Sequence, residues 1–270
     1  MIRFPAIMGI LNVTPDSFRP RYRYRDQPAA VSRAIELVSQ GADILDIGGE
    51  STRPGATDIS ADEEIDRVIP VLRQLASRVE APISIDTRKA AVARAALAEG
   101  AAIINDVSAL TYDSAMASTV AQARCAVVLM HMRGTPATMA DLASYRDVTA
   151  EVVRYLAARV RAAVKAGVAP SRVIVDPGFG FAKRPGHNLD VLQGLPRLAA
   201  LGWPILVGFS GKLFEGYARG AGEPERVARN AAAEAVAVMG GASIIRVHEP
   251  ALARAAVRIA AACSGRTIPA

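Results

Sequence analysis

Asp86, Asn105, Asp176 and Lys212 each stand at or just past the end of a short apolar run: PISI, AAII, RVIV and PILVGFS. Two carboxylates, an amide and an ammonium can together read the edge of a nitrogen heterocycle. The carboxylates accept from ring N–H and exocyclic NH₂ groups, while the amide and ammonium donate to a ring carbonyl. Asn12, Arg246 and His248 form a second group, after the first apolar run and at the end of the last. Arginine and histidine suit a phosphate or diphosphate, and an amide oxygen suits Mg²⁺. For the first group the structural alternative is a buried ion pair; for the second it is a surface arginine beside a satisfied histidine.

Such residues converge only if the elements beneath them are parallel and arranged in a ring. Eight apolar runs end in polar groups, and a stretch with helical spacing follows each. This is the pattern of an α/β chain folded as a (β/α)₈ TIM barrel, with its chemistry at the C-terminal ends of the strands. The 270 residues fit a single domain over 1–270, since such barrels run to about 250 residues. Strands are expected near Ala6–Val13, Ile44–Gly48, Pro82–Asp86, Ala102–Asp106, Ala126–Met130, Val173–Asp176, Pro204–Gly208 and Ile244–Val247. Val31, Ile35 and Val38 mark the buried stripe of the first helix; Leu252, Ala256 and Ile259 mark that of the last. Ser60 to Glu63 reads as a capping box opening the second helix. Gly41, Gly100, Gly167 and Gly241 are placed to stop helices before the next strand. A doubly wound sheet is the rival architecture, but no GxGxxG turn follows the first strand.

Composition narrows the partners. The net charge is +6, but four of the 32 basic residues are lysine and the other 28 are arginines scattered over helices. There is no basic stripe interleaved with aromatics, which speaks against nucleic acid. No apolar stretch reaches the ~18 residues of a membrane helix, and the N-terminal run reads as a strand, not a signal peptide. Two isolated cysteines suit a reducing cytoplasm. Scarcity is informative as well: Lys89, Lys183 and Lys212 fall just past strands, with only Lys165 in a helix. All three histidines, His131, His187 and His248, fall in expected loops on the same face. That placement favours function.

Three of these loops exceed the usual 2–6 residues. They follow Asn12, Asp46 and His131, and are expected as lids or binding loops. In the first, Arg19, Arg21, Arg23 and Arg25 alternate with Pro20, Tyr22 and Tyr24. Anion capture and a solvated loop are equally good readings of it.

The segments MGILNVTPDSF, DILDIGGESTRPGA, SIDTRK, INDVSAL, VVLMHMRGTP, VIVDPGFGFAK, PILVGFSGK and IIRVH, in order from Met8 to His248, resemble the signatures of the dihydropteroate synthase family. The resemblance implies an enzyme of folate synthesis that joins (7,8-dihydropterin-6-yl)methyl diphosphate to 4-aminobenzoate and releases pyrophosphate. It makes Asp86, Asn105, Asp176 and Lys212 the pterin set, and Asn12, Arg246 and His248 the diphosphate set. Asn12 is the implied Mg²⁺ ligand. Lys212, Asp176, Arg246 and His248 carry the implied catalytic work. Thr52, Arg53, Pro54, Phe181 and the Leu213 position are implied around the acceptor. A homodimer is a further expectation.

The departures cluster on the acceptor side. Arg19, Pro20, Arg21 and Tyr22 stand where the family has Ser-Asp-Gly-Gly. Gly211 and Leu213 replace the arginine and second serine of Ser-Arg-Lys-Ser. Arg229-Asn230 replaces Gly-Ser, Ala182 replaces the last glycine of GFGFGK, and Glu249 replaces aspartate. Three other readings stand beside the synthase. One is a divergent paralogue with an altered acceptor or reduced sulfonamide sensitivity. Another is a pterin-dependent methyltransferase, although methyl transfer has no diphosphate to bind. The third is a non-catalytic pterin-binding protein, which would have no reason to keep the diphosphate groups.

Overall fold

A computed structural model describes residues 4–14, 27–52, 57–209, 213 and 222–266. Eight parallel strands run β1 (Ala6–Asn12), β2 (Ile44–Gly48), β3 (Ile83–Asp86), β4 (Ile103–Asp106), β5 (Ala126–Met130), β6 (Val173–Asp176), β7 (Leu206–Gly208) and β8 (Ile244–Val247). They are hydrogen-bonded in the order β6-β5-β4-β3-β2-β1-β8-β7. A bridge between Val175 and Ile205 joins the two ends of that order, with Val175 N donating to Pro204 O at 2.9 Å. The sheet is therefore a barrel, as expected from the sequence.

Side chains alternate across each strand, and the alternation builds the barrel interior. Ala6, Met8, Ile44, Ile103, Val128, Ile174, Leu206 and Ile244 fill its lower part. Two residues further along, on the same face, stand Asp46, Asn105, Asp176 and Arg246. A dry apolar plug thus lies directly beneath a polar ring. The outward residues, among them Ile7, Leu45, Ile85, Ile104, Val127 and Val175, pack under the helices as a second and larger core.

Between the strands lie α1 (Gln27–Ser39), α2 (Ala61–Leu75), α3 (Ala90–Ala98), α4 (Met116–Ala123), α5 (Val148–Lys165), α6 (Pro185–Gln193), α7 (Leu195–Ala199), α8 (Glu223–Met239) and α9 (Pro250–Cys263). Ser60 caps α2 by accepting from Glu63 N at 3.1 Å. The Glu63 carboxylate pairs with Arg67, so half of the capping box forms. Gly41, Gly100, Gly167 and Gly241 all sit at φ between 94° and 105°, a left-handed turn after a helix that other residues rarely adopt.

Two helical stripes differ from expectation. In α1 the buried face is Ala30, Val31, Ala34 and Leu37, and Ile35 is exposed. In α9 the buried face is Ala253, Val257, Ala260 and Ala261, while Leu252 and Ile259 are 51% and 67% exposed. The reason is steric: small side chains let a helix approach the barrel closely, so the larger residues turn outward. Periodicity alone could not tell which of two apolar faces is the inner one.

Candidate active site

The mouth of the barrel brings one guanidinium onto two buried carboxylates. Arg246, at the end of β8, donates from Nε to Asp46 Oδ2 at 2.6 Å and from Nη2 to Asp86 Oδ2 at 2.7 Å. Asn105 Nδ2 donates to the same Asp46 oxygen at 3.1 Å. The register explains this meeting: Asp86 pairs with Asn105 and with Gly48 on the flanking strands. A Cβ built on Gly48 would stand 3.8 Å from Asp86 Oδ2 and 3.7 Å from Asn12 Oδ1. Asn12 and Asp86 thus both lie against the same point over Gly48.

Among the described residues, Asp46, Asp86 and Asp176 share the mouth with one arginine, Arg246. Burial pushes the Asp86 carboxyl up to about 7; Arg246 opposes this and the neighbouring Asp46 reinforces it. Burial likewise pushes Asp176 up to about 6, against the Gly178 amide and the charge of Lys183. Arg246 is held above its ordinary value, because its two carboxylates outweigh its desolvation. Among the described residues, no donor reaches the buried Asp46 Oδ1 or Asp86 Oδ1. Buried acceptors of this kind are normally satisfied, so these two are poised for donors from a ligand.

Asp176 ends β6, and Gly178 N donates to its Oδ1 at 2.7 Å. Phe181, in the loop that follows, packs on the cluster of Val107, Met130, Met132, Met139 and Ala182. The carbonyl of His248 accepts from Arg33 Nη2 of α1 at 2.9 Å, which fixes the turn leaving β8. Arg33 also reaches Glu249 at 3.5 Å.

A second buried charge network lies beside the mouth. Lys89 Nζ donates to Glu50 Oε1 at 2.8 Å and to Glu64 Oε2 at 2.6 Å; Arg88 Nε donates to Glu50 Oε2 at 3.0 Å. Arg88 Nη2 also reaches Asp58 at 2.7 Å, and Ile59 N reaches Glu50 at 3.2 Å. Burial would raise the Glu50 carboxyl, but its bonds from Arg88, Lys89 and Ile59 hold it below the usual range. Glu64 is raised by burial despite Lys89. These bonds tie the two ends of the second long loop to β3 and α2. Lys89 is therefore part of an internal ion cluster, and its position past a strand does not put it in the mouth.

The comparisons with known proteins agree with this geometry. Residues 8–248 match the pterin-binding enzyme family. A dihydropteroate synthase from Synechocystis is 44% identical over 244 residues, covering 90% of this chain and 84% of the relative. The chain belongs to the dihydropteroate synthase family. A Xanthomonas albilineans dihydropteroate synthase solved with 4-aminobenzoic acid superposes with a TM-score of 0.88 at 45% identity, covering 98% of this chain and 94% of that one. A Yersinia pestis dihydropteroate synthase in complex with a sulfonamide drug gives 0.91 at 38% identity, covering 97% and 94%.

Of the residues that the dihydropteroate synthase resemblance singles out, Asp86, Asn105, Asp176, Asn12 and Arg246 lie at the C-terminal strand ends, with Asp86, Asn105 and Arg246 joined through Asp46. Arg246 thereby links the expected pterin group to the diphosphate group. Arg53, Pro54, Ser210, Gly211, Lys212 and the arginines of 19–25 lie outside the described residues, and Thr52 is half-buried. Leu213 is buried in the main core. Its Cδ2 lies 2.8 Å from where a Cβ on Gly180 would stand. An apolar contact thus occupies a position where the family has a hydroxyl. Ala182 keeps the left-handed backbone, φ 50°, that a glycine would adopt with ease. Arg229 and Asn230 lie inside α8. His187 is not in a loop but in the first turn of α6, where its Nδ1 accepts from Arg184 N at 3.2 Å.

Asp46 was legible as a polar residue within the second apolar run, but nothing along the chain gave it a partner. Glu50, Glu64 and Arg88 gave no signal at all, because their pairing spans up to 39 residues.

Proposed function

We propose that this chain condenses (7,8-dihydropterin-6-yl)methyl diphosphate with 4-aminobenzoate. The observation that carries the reading is the ring of Asp46, Asp86, Asn105 and Arg246, with two carboxylate oxygens that no donor among the described residues reaches. It offers acceptors for the donor edge of a pterin and an amide for its carbonyl. Asp86, Asn105, Asp176 and Lys212 hold the pterin. Arg246 and His248 receive the diphosphate. Thr52, Arg53, Pro54 and Phe181 surround the arylamine.

In the reaction the amine nitrogen bonds to the exocyclic methylene as the methylene C–O bond to diphosphate breaks, and one amine proton is released. No covalent bond to the protein is required. The chain contributes orientation and charge stabilisation of the leaving group. Mg²⁺ would be held by Asn12 together with diphosphate oxygens and water, the sparse protein ligation this ion favours. What supports the fit is that Asn12 Oδ1 and Asp86 Oδ2 lie 3.7 Å and 3.8 Å from the same point over Gly48, so an amide oxygen stands near a carboxylate. In the assay, pyrophosphate release from the pterin diphosphate should require 4-aminobenzoate.

The buried Leu213 favours a second reading of the acceptor half. Losing a hydrogen bond to a carboxylate costs about 1.5–3 kcal/mol, so the wild type should show a raised KM for 4-aminobenzoate and weak sulfonamide inhibition. Leu213→Ser should lower that KM. An unchanged KM in the variant would return the acceptor site to the ordinary pattern.

The chain is also proposed to act as a homodimer through α8 and α9. These helices pack together, and they expose Val236, Met239, Leu252 and Ile259. Contiguous apolar surface of this kind marks interfaces, and the outward residues of these two packed helices are the candidate for it. No helix among the described residues is long and apolar enough to cross a membrane. The free cysteines Cys125 and Cys263 fit a cytoplasmic setting.

A further inference from the structure

Behind the mouth lies a buried lysine that the chemistry above does not use. Lys183, 8% exposed, sends its ammonium back into its own loop. It donates to Gly178 O at 2.8 Å and to Phe181 O at 3.1 Å, and stands 3.0 Å from His131 Nδ1. An ammonium carries three donors, and here it meets three acceptors. His131 is itself buried, 2% exposed. Its backbone N donates to Asp176 O at 2.9 Å. Its ring packs edge-on to Tyr155, with centroids 4.9 Å apart. Tyr145, from the third long loop, donates its hydroxyl to Ala182 O at 2.9 Å.

We infer that Lys183 and His131 are positioning residues that lock the loop after β6, so that Asp176 and Phe181 present the pterin and the arylamine to each other in register. The inference rests on the proposed function for the identity of the two ligands. The loop has little other freedom. Any Cβ at Gly178 would come within 2.1 Å of His131 O, so the chain there runs against β5. Lys183 ties Gly178 to Phe181, and Gly178 N holds the Asp176 carboxylate. One ammonium therefore fixes both the donor-reading carboxylate and the aromatic wall.

The geometry also sets the proton inventory. Nδ1 can accept from Lys183 only if the imidazole is neutral with its proton on Nε2. Burial and the charges of Lys183 and Arg133 hold His131 far down, to about 3, which keeps it neutral. Burial lowers Lys183 to about 7, with Asp176 pulling the other way. The three acceptors favour the ammonium within that balance.

The test compares His131→Leu, which removes the acceptor, with His131→Gln, which restores one at similar size. Binding of 7,8-dihydropterin by calorimetry and KM for 4-aminobenzoate are measured at a temperature where every variant is folded. His131→Leu should weaken both by on the order of tenfold, the scale of a small misplacement of binding groups. His131→Gln should recover most of it. Lys183→Met, which also releases Gly178 O and Phe181 O, should weaken both at least as much as His131→Leu, and the double variant should be no worse than Lys183→Met alone. A lower melting temperature with both ligands binding as in the wild type would overturn the inference and leave a purely structural pair. Should the variants fail to fold, nitrogen NMR of the wild-type ring decides: a proton on Nε2 supports the lock, and a proton on Nδ1 overturns it. A wild type that binds no pterin at all would overturn the proposed function, and the ring tautomer would still decide the positioning claim.

Discussion

Two buried charge networks lie side by side above the barrel, and they are finished differently. Glu50, Glu64, Arg88 and Lys89 bond almost entirely to one another, with one unpartnered oxygen, Glu64 Oε1. Among the described residues, Asp46 and Asp86 share Arg246, Asp176 accepts from Gly178 N, and two carboxylate oxygens, Asp46 Oδ1 and Asp86 Oδ1, find no donor. A closed network spends its hydrogen-bonding capacity on the fold. An open one holds capacity in reserve for a ligand and tolerates the desolvation until the ligand arrives. The difference teaches where to expect stability effects and where to expect binding effects.

The sharpest way to break this comparison is Lys89→Met. It strands Glu50 and Glu64 in the interior, and removing one partner of a buried pair costs about 3–5 kcal/mol. Denaturant unfolding should show that loss, while the pterin affinity of the folded fraction should change little. A stable variant that no longer bound pterin would reverse the assignment of the two networks.

Asp176→Asn tests the open side. It should weaken pterin binding by roughly 1–3 kcal/mol, the cost of leaving a buried polar group wrongly paired. Unfolding stability should be unchanged or higher, because the mouth loses a carboxylate that burial already disfavours. Unchanged pterin affinity by calorimetry would remove Asp176 from the site.

The same contrast predicts a pH dependence. Asp86 and Asp176 are raised to about 7 and about 6, from an ordinary 3.8. Between about pH 4 and pH 7 these two carboxyls therefore bind more protons in the empty folded chain than in the unfolded one. Their contribution to stability falls as pH rises through that window, while His131, buried neutral, contributes in the opposite sense. Pterin N–H donors favour the ionised carboxylates, so affinity should rise over the same window and binding should release protons. Calorimetry in buffers of different ionisation enthalpy measures that release. Affinity that falls from pH 6 to pH 8 would contradict the roles given to these carboxylates.

What the sequence made legible follows from the range of the interactions involved. Strand positions came out within two residues, because each strand is a local apolar run bounded by a polar residue or a helix stop. Asp86, Asn105, Asp176 and Arg246 were readable for the same reason: they end such runs. The partners were not readable. That Arg246 would bridge Asp46 and Asp86 depends on β8 closing beside β1 and on registers across four strands. Scarcity singled out Lys89 and Lys183 as functional, yet both are enclosed by protein acceptors. Placement past a strand puts a residue on the right face of the barrel, and only packing decides whether it points into the mouth or behind it. The outward turn of Leu252 and Ile259 was hidden likewise, because α9 is apolar on two faces.

Ala182 lies on the open side, in the loop after β6, and its effect should be the smallest. Its φ of 50° is a left-handed conformation, costing about 1–2 kcal/mol for a residue with a Cβ. Ala182→Gly would relieve that strain. Glycine gives back roughly 0.5–1 kcal/mol through the greater freedom of the unfolded chain. The deleted methyl is 1% exposed and packs among Val107, Met130, Met132 and Met139; burying such a group is worth about 0.8 kcal/mol. The three contributions nearly cancel, so the variant should lie within about 0.5 kcal/mol of wild type. Pterin affinity should not move, because Lys183 still ties Gly178 to Phe181. A clear gain in stability would mean that the methyl packs poorly and the strain dominates. A loss of pterin affinity would show that the methyl, rather than the ammonium of Lys183, holds the loop.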